Sequence, residues 1–285
     1  MNLVISGPID DNLRNAIVAL VKPRNVVRLH ARADRMENAD DSVEARKIVA
    51  KLCDASRVDH AYVEHGKKLS DFKLLAMDMD STLITIECID EIADFAGKKK
   101  EVAAITEAAM RGEITDFAES LRRRVALLAG TSADVLERVY QERLRLSPGA
   151  KILIRAAHDS QMNTLLVSGG FTYFTTRLQR DLLITDVSAN ALEIKNGKIT
   201  GSLHGPIIDA HGKAAFVAHV ISRLAISQNA VICIGDGAND ILMLRTAGLS
   251  IAYHAKPIVR SSATHTIRYG GLDVILDWLP SVSAQ

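Results

Sequence analysis

The chain has 285 residues, of which 48% are hydrophobic and 24% charged, and its formal net charge is +1. These values are typical of a globular protein with enough apolar material for a core. A net charge near zero without a long basic block argues against a nucleic-acid partner, and no apolar run has the length of a membrane span. Three scattered cysteines exclude a disulfide framework. Because the amino terminus also lacks a signal-peptide core, the sequence predicts a cytoplasmic protein.

Residues 1–70 are predicted to form a small, separate α/β domain. The stretches "NLVIS", "VVRLHA" and "HAYVEHG" are strand candidates, and the amphipathic segments between them are typical of helices. No chemical motif is present in this part of the chain. Its role is left open, with regulation as one hypothesis.

Short apolar runs alternate with helical segments in the rest of the chain. The runs at 72–78, 162–169 and 230–237 have the length of strands and are continuously apolar, which favours burial on both faces of a parallel sheet. Their alternation with helices predicts a doubly wound α/β fold over residues 71–285. Ligands of such sheets bind beyond the carboxyl ends of the strands.

Two insertions into this α/β pattern are predicted. The segment at about 88–148 is far too long for a simple crossover, and its helical pieces are punctuated by glycines. It predicts a small helical cap inserted after the first core strand. The second insertion, at 190–205, contains Asn196-Gly197 between alternating apolar and polar residues, which predicts a β-hairpin.

Acidic residues follow two of the predicted core strands. Asp78 and Asp80 flank Met79 at the end of the first apolar run, and Asp236 and Asp240 belong to the stretch "GDGAND". Either stretch alone is a common turn or capping pattern. Like charges at the end of a buried strand are costly without a cation. Two such loops at one rim of a sheet therefore favour a hard cation such as Mg²⁺.

Two further stretches are candidates for anion binding. Ser168, Gly169 and Gly170 follow the second apolar run and would offer a hydroxyl and backbone N–H groups to an anion, although Ser-Gly is also an ordinary strand-to-helix turn. Lys213 begins a predicted helix and would supply the fixed positive charge that a phosphoryl group requires. A solitary lysine is also common at a protein surface.

These motifs, in this order, resemble those of the haloacid dehalogenase (HAD) superfamily of phosphotransferases. Within it, the stretches "MDMDSTLITIECIDEIA", "EAAMRGEITDFAESLRRRVALL", "VSGGF", "GDGANDILML" and "AYHAKPIV" are similar to the phosphoserine phosphatase family across residues 72–279. The first seventy residues lie outside the resemblance. It implies Mg²⁺-dependent hydrolysis of O-phosphoserine through an aspartyl-phosphate, the last step of serine biosynthesis. The alternative is a HAD phosphotransferase, or a phosphatase of another small phosphorylated metabolite.

The resemblance also implies roles for the acidic residues. Asp78 would be the nucleophile and Asp80 the general acid and base. The Mg²⁺ ligands would be Asp78, Asp236 and Asp240. A further ligand would come from the Asp80 position, where the backbone carbonyl of Met79 is the favoured candidate.

Phosphate binding is implied for a second group of residues. Lys213, Ser168, Gly169 and Gly170 would hold the phosphoryl oxygens, and Asn239 would orient a water molecule or the phosphate.

Recognition of the amino-acid portion is assigned by the resemblance to the cap. Glu87 would bind the ammonium group, Arg124 the carboxylate, and Met110 with Phe117 would form an apolar wall. The residues alone leave open which arginine of "RRR" (122–124) faces the site. A homodimer, feedback by serine and the preferred stereoisomer are also left open.

Overall fold

The computed structural model describes residues 1–281, so residues 282–285 of the predicted 71–285 unit lie outside the described residues. The amino-terminal part contains two helices and four strands: β1 (Asn2–Ser6), α1 (Asp11–Val21), β2 (Asn25–His30), β3 (Ala33–Glu37), α2 (Val43–Ala55) and β4 (Asp59–Val63). The strands form an antiparallel sheet in the order β2-β3-β1-β4. The polar strand β3, which the sequence pattern did not predict, pairs with both β1 and β2.

One face of this sheet is covered by the two amino-terminal helices. Buried residues of α1 recur at Leu13, Ile17 and Val21, the spacing of one helical face, and they pack against the inward side chains Leu3 and Ile5 of β1. Each helix begins at a side-chain cap, provided by the residues just before α1 and α2. The amino-terminal part therefore has a hydrophobic core of its own.

The second sheet has seven strands: β5 (Leu74–Met77), β6 (Asn163–Phe171), β7 (Asp186–Lys195), β8 (Lys198–His204), β9 (Val231–Gly235), β10 (Leu249–Tyr253) and β11 (His265–Ile267). Their order is β11-β10-β9-β5-β6-β7-β8, and every pair is parallel except β7 with β8. Every residue of the central strands β5 and β9 is buried. This confirms the predicted fold class, with continuously apolar runs as the middle of a parallel sheet.

A helical cap is inserted between β5 and β6. Its helices are α3 (Cys88–Phe95), α4 (Lys99–Met110), α5 (Phe117–Ala126) and α6 (Asp134–Arg138), followed by one π-helical turn at Val139–Arg143. The chain enters and leaves the cap through two segments that pair with each other. The Ser147 N–H donates to the Leu83 carbonyl and the Thr85 N–H to the Arg145 carbonyl, each at 2.9 Å. We call residues 83–85 and 145–149 the cap hinge.

Six helices accompany the seven-stranded sheet: α7 (Ala150–Asp159), α8 (Thr172–Leu182), α9 (Ala210–Arg223), α10 (Ile241–Leu244), α11 (Pro257–Arg260) and α12 (Val274–Trp278). Within residues 1–281, no helix combines the length and the apolar character that crossing a membrane requires.

The predicted hairpin is present, but it is not a separate insertion. Asn196 and Gly197 both have positive φ, 50° and 72°, as a two-residue hairpin turn requires. The first strand of the hairpin, β7, pairs in parallel with β6 before it reaches the turn. The hairpin therefore extends the edge of the core sheet.

His60 predicts how stability depends on pH. Burial, with smaller contributions from His265 and Arg268, lowers the pKa of His60 to about 4. Below pH ~6.5 the unfolded chain gains a proton that the folded protein accepts only near pH 4, so stability falls as the pH falls through this window. We expect His60→Gln to remove about 2 kcal/mol of the loss between pH 7 and pH 5, measured by urea unfolding.

The exposed His204 provides the control for this experiment. His204→Gln should show the wild-type dependence on pH. If His60→Gln loses as much stability as the wild type between the two pH values, the folded state protonates His60 freely and the prediction is wrong.

Candidate active site

A polar cavity of about 170 Å³ lies between the cap and the carboxyl ends of the core strands. Asp78 directly follows β5, Asp236 directly follows β9, and Ser168 lies near the end of β6. The side chains around the cavity come from both the core and the cap: Asp78, Asp80, Glu87, Ile89, Phe117, Leu121, Arg124, Ser168, Gly169, Gly170, Phe171, Asp236, Gly237 and Asn239. The fold thus brings together most of the residues singled out in the sequence.

A tight turn follows directly after β5. Asp78 begins a π-helical turn at Met79–Leu83, and its carboxylate accepts the Met79 N–H at 2.7 Å. Inside the turn Ser81 has φ 55°, a left-handed conformation that is uncommon for a residue other than glycine. This conformation lets Asp78 and Asp80 both line the cavity instead of continuing along the strand.

A buried ion-pair triad lies behind the part of the cavity wall that Asp78 forms. The ammonium nitrogen of Lys213 lies 2.7 Å from an oxygen of Asp78 and 2.7 Å from an oxygen of Asp240, and Lys213 is fully buried. Burial alone would lower the pKa of Lys213, but the two carboxylates outweigh it and raise the pKa above its ordinary value. Lys213 is therefore a fixed positive charge inside the protein, and it is not a surface residue.

The second acidic loop is fixed from several sides. The free oxygen of Asp240 accepts the N–H groups of Asp236 at 3.1 Å and Gly237 at 2.9 Å, so both Asp240 oxygens have partners within the protein. The Thr82 hydroxyl donates to Asp236 at 2.7 Å. These bonds keep the loop after β9 folded towards the turn after β5.

The negative charge of the clustered carboxylates exceeds the positive charge beside them. Oxygens of Asp78, Asp236 and Asp240 lie within 4.8 Å of one another, and Lys213 is the one buried cation among them in residues 1–281. Burial and the neighbouring Asp240 raise the pKa of Asp236 to about 7 and that of Asp78 above its ordinary value, against the attraction of Lys213. Several carboxylate oxygens with surplus negative charge fit a hard divalent cation.

Asp80 occupies a different environment from Asp78. One oxygen accepts the Cys88 N–H at 3.2 Å, and burial raises its pKa to about 6. A Cβ atom added at Gly170 would lie 2.6 Å from the other oxygen of Asp80. Only glycine at position 170 therefore allows β6 to approach this carboxylate so closely.

The Ser-Gly-Gly stretch differs from the predicted turn. Residues 168–170 belong to β6, which is irregular between Val167 and Phe171, and α8 begins only at Thr172. The Gly170 N–H donates to the Ser168 hydroxyl at 2.8 Å. The stretch is extended because β7 pairs with β6 on both sides of the irregularity.

The cap contributes Glu87 through a short bond to the turn. The Ser81 hydroxyl donates to the Glu87 carboxylate at 2.6 Å. The side chain is open to water within the cleft. Loss of solvent around the carboxylate raises the pKa of Glu87 to about 7, and repulsion from Asp80 is the next largest cause. Glu87 thus lies on the cap side of the same cavity as Asp80.

Helix α5 supplies the opposite wall of the cavity. Phe117, Leu121 and Arg124 are spaced by four and three residues and line the cavity together, whereas Arg122 and Arg123 are exposed. Burial lowers the pKa of Arg124, against the attraction of nearby carboxylates. The arginine that faces the cavity is therefore Arg124.

Met110 is not part of this wall. It is the last residue of α4, its side chain is 61% exposed, and its sulfur lies 3.3 Å from the Lys256 ammonium. Val102, near the other end of the helix, is its buried residue. Of the two residues expected to form one apolar wall, Phe117 lines the cavity and Met110 does not.

The Met79 carbonyl is also poorly placed for a metal. It accepts the Ile84 N–H at 3.0 Å, and Met79 is fully buried outside the cavity lining. Hydrogen bonding within the turn therefore uses one of the two lone pairs of this carbonyl oxygen. Of the two alternatives raised by the sequence, Asp80 is the one that lines the cavity.

The structure adds residues that the sequence did not point to. The amide of Asn190, which is 2% exposed, donates to the Gly169 carbonyl at 2.8 Å and accepts the Ile208 N–H at 2.7 Å. Asn190 lies on β7, and only the pairing of β7 with β6 brings it to the site. Leu121 had a usable signal, since it shares the helical spacing of Phe117 and Arg124.

Comparison with known families identifies the class of protein that has this fold and this acidic rim. Residues 75–245 match the family model of the haloacid dehalogenase-like hydrolases. The chain belongs to this family.

Among curated proteins, this chain is 55% identical over 214 residues to a phosphoserine phosphatase from a Polaromonas species, covering 74% of this chain and 91% of the relative. Two solved structures are similar over 98% of this chain, including its amino-terminal part. One is a HAD family hydrolase from Salmonella enterica serovar Typhi (TM-score 0.89, 30% identity, 98% of that chain). The other is a probable phosphoserine phosphatase from Vibrio cholerae (TM-score 0.83, 32% identity, 85% of that chain).

Removing the buried ammonium group of Lys213 should cause a large loss of stability. Lys213→Met would leave Asp78 and Asp240 buried and uncompensated, so we expect the free energy of unfolding to fall by about 3–5 kcal/mol. Urea unfolding at pH 7 with EDTA measures it, because the chelator prevents a metal from replacing the lost charge.

A double variant and a surface variant control this measurement. Adding Asp240→Asn to Lys213→Met should cost less than the sum of the single changes, because it removes part of the repulsion. The exposed Lys151→Met should change stability by no more than about 0.5 kcal/mol. If the effects of Lys213→Met and Asp240→Asn on stability are additive, Lys213 does not stabilise the carboxylates.

Proposed function

We propose that this protein is a phosphoserine phosphatase, which hydrolyses O-phosphoserine to serine and phosphate in the last step of serine biosynthesis. One observation carries the proposal. The cavity combines a carboxylate held by a buried lysine, Asp78, with a cap acid and a cap base, Glu87 and Arg124. A phosphate, an ammonium group and a carboxylate therefore each have a complementary partner in one small space. The 55% identity to a phosphoserine phosphatase supports this choice of substrate.

The first half of the reaction would be displacement at phosphorus. An oxygen of Asp78 attacks the phosphorus atom, the bond from phosphorus to the serine oxygen breaks, and an aspartyl-phosphate forms. Asp80 donates its proton to the departing serine oxygen. A pKa raised to about 6 suits Asp80 to this task, because the carboxyl group can hold a proton near neutral pH.

The second half would be hydrolysis of the aspartyl-phosphate. A water molecule attacks the phosphorus atom and transfers a proton to Asp80, which the first step left ionised, and the bond to Asp78 breaks. Free phosphate and the starting carboxylates result. One residue thus acts as acid and then as base, without a second proton carrier.

The phosphoryl oxygens would be held by groups already fixed in the structure. Lys213 supplies positive charge through its contact with Asp78, and Ser168, Gly169 and Gly170 line the cavity. Asn239, at the rim, would orient the phosphate or the attacking water. Groups that need no rearrangement stabilise developing charge at little cost.

The acidic cluster would hold Mg²⁺. Asp78 and Asp236 would bind it directly, with a backbone carbonyl at the Asp80 position contributing, whereas Asp240, whose oxygens both have partners, would hold the second loop in place. When bound, the cation neutralises charge on the phosphoryl group and on Asp78. Activity should be lost in EDTA and restored by added Mg²⁺.

Choice of substrate would come from the cap. Glu87 would bind the ammonium group of phosphoserine, and Arg124 would bind the carboxylate through its guanidinium fork. Phe117 and Leu121 supply the apolar surface between the two ends of the site. The cytoplasm as the place of action stays a prediction.

Steady-state hydrolysis of a panel of phosphorylated metabolites tests the proposal. Phosphoserine should be hydrolysed with a kcat/KM at least a hundredfold above that of phosphosugars; comparable values would overturn the assignment of the cap residues. The alternative, transfer of the phosphoryl group to another hydroxyl, predicts that acceptor alcohols reduce phosphate release and produce a new phosphoester.

Asp78→Asn should abolish turnover, because an amide oxygen is a poor nucleophile and cannot complete the displacement. Circular dichroism and urea unfolding should show an intact fold, since the side chain keeps its shape. Phosphate release and chemical trapping of aspartyl-phosphate measure the effect. Residual activity above about 1% of wild type would point to another nucleophile.

Arg124→Ala should raise the KM for phosphoserine by about a hundredfold, as expected for loss of a charged, two-pronged contact. Hydrolysis of p-nitrophenyl phosphate, which has no carboxylate, should change less than threefold. Arg123→Ala is the matched control, because the neighbouring side chain is exposed. Equal effects of the two substitutions would remove Arg124 from substrate recognition.

A further inference from the structure

Asp59 joins the amino-terminal part to a loop of the core. This residue, at the start of β4, is 2% exposed. Its carboxylate accepts the N–H groups of Arg268 and Gly270, each at 2.6 Å, and that of Tyr269 at 3.3 Å. Three successive backbone donors on one buried carboxylate fix the path of the loop far more firmly than a surface ion pair does.

The next residues of the same loop contact the cap hinge. The Leu272 N–H donates to the Pro148 carbonyl at 2.8 Å. A Cβ atom at Gly149 would lie 2.2 Å from the Asp273 carboxylate, and one at Gly271 would lie 2.6 Å from the Pro148 oxygen. Loop and hinge are therefore in backbone-to-backbone contact, which permits little independent movement.

The hinge in turn determines where the cap residues lie. Residues 145–147 pair with 83–85, which lie between the catalytic turn after β5 and the first cap residue of the site, Glu87. The site takes one set of side chains from the core and another from the cap. A small rotation at the hinge would change the distances between Asp78 and Glu87 or Arg124, and catalysis is sensitive to displacements near 1 Å.

We propose that Asp59 is a positioning residue for the reaction, which acts through the 268–273 loop and the cap hinge to set the cap against the core. The amino-terminal part would thereby contribute to catalysis without touching substrate. This inference rests on the proposed phosphoserine phosphatase activity. It assigns the first seventy residues a mechanical role.

The central experiment compares two substrates in one isosteric variant. Asp59→Asn keeps the shape of the side chain but leaves a single acceptor oxygen for the loop. We expect kcat/KM for phosphoserine to fall by about tenfold to a hundredfold. Hydrolysis of p-nitrophenyl phosphate, which does not need the cap residues, should change less than twofold. A merely structural role would leave the ratio of the two activities unchanged, and that result would overturn the proposal.

The control loosens the interface without reaching the hinge. His30 lies 2.7 Å from Asp277 of α12, so His30→Gln alters another contact between the same two parts of the chain. It should leave both activities at the wild-type level. If wild type itself fails to hydrolyse phosphoserine, the proposed function fails. If the wild type is active and Asp59→Asn leaves the ratio of the two activities unchanged, the positioning role alone is wrong.

Hydrogen exchange tests the same connection if Asp59→Asn does not fold. Phosphoserine bound to the inactive Asp78→Asn variant should slow amide exchange at 83–85, at 145–149 and at 268–272. Exchange in β2, at the far edge of the amino-terminal sheet, should not change. Slowing in the hinge without slowing at 268–272 would overturn the proposal, because the loop would then not respond to the cap.

Discussion

The site depends on one buried ammonium group held between two carboxylates. Lys213 lies 2.7 Å from both Asp78 and Asp240 and is out of reach of water. Such a group is stable only when its charge is balanced and its geometry fixed. The turn after β5, the loop after β9 and the start of α9 must therefore meet at one point. The rim of the sheet is organised around that requirement.

The same requirement explains why the two aspartates of the first motif differ. Asp78 contacts the lysine directly, and this ammonium group opposes the rise in the pKa of Asp78 that burial and Asp240 cause. Asp80, two residues on, is turned towards Cys88 and the Gly170 backbone, where burial raises its pKa to about 6. The strained residue Ser81 follows at once and donates to Glu87, so a few residues connect the core site to the cap.

Sequence alone predicted the parallel core, the cap insertion and the acidic rim, because each is a local pattern: apolar runs, glycine-punctuated helices and acidic strand ends. Position on a helix face could also have chosen Arg124, since it shares the spacing of Phe117 and Leu121. Features that depend on distant pairing were not predictable. Asn190 reaches the site only through β7, and the exposure of Met110 depends on how α4 packs in the cap.

The insertion of the cap has a consequence for how the molecule is made. Leu74 of β5 pairs with Val231 of β9, so neighbouring strands at the centre of the sheet come from segments separated by more than half of the chain. Contacts between such remote segments form slowly, because a long loop must close first. During synthesis Asp78 emerges early, before Lys213 and the second acidic loop exist. The acidic site is thus completed only when most of the polypeptide has left the ribosome.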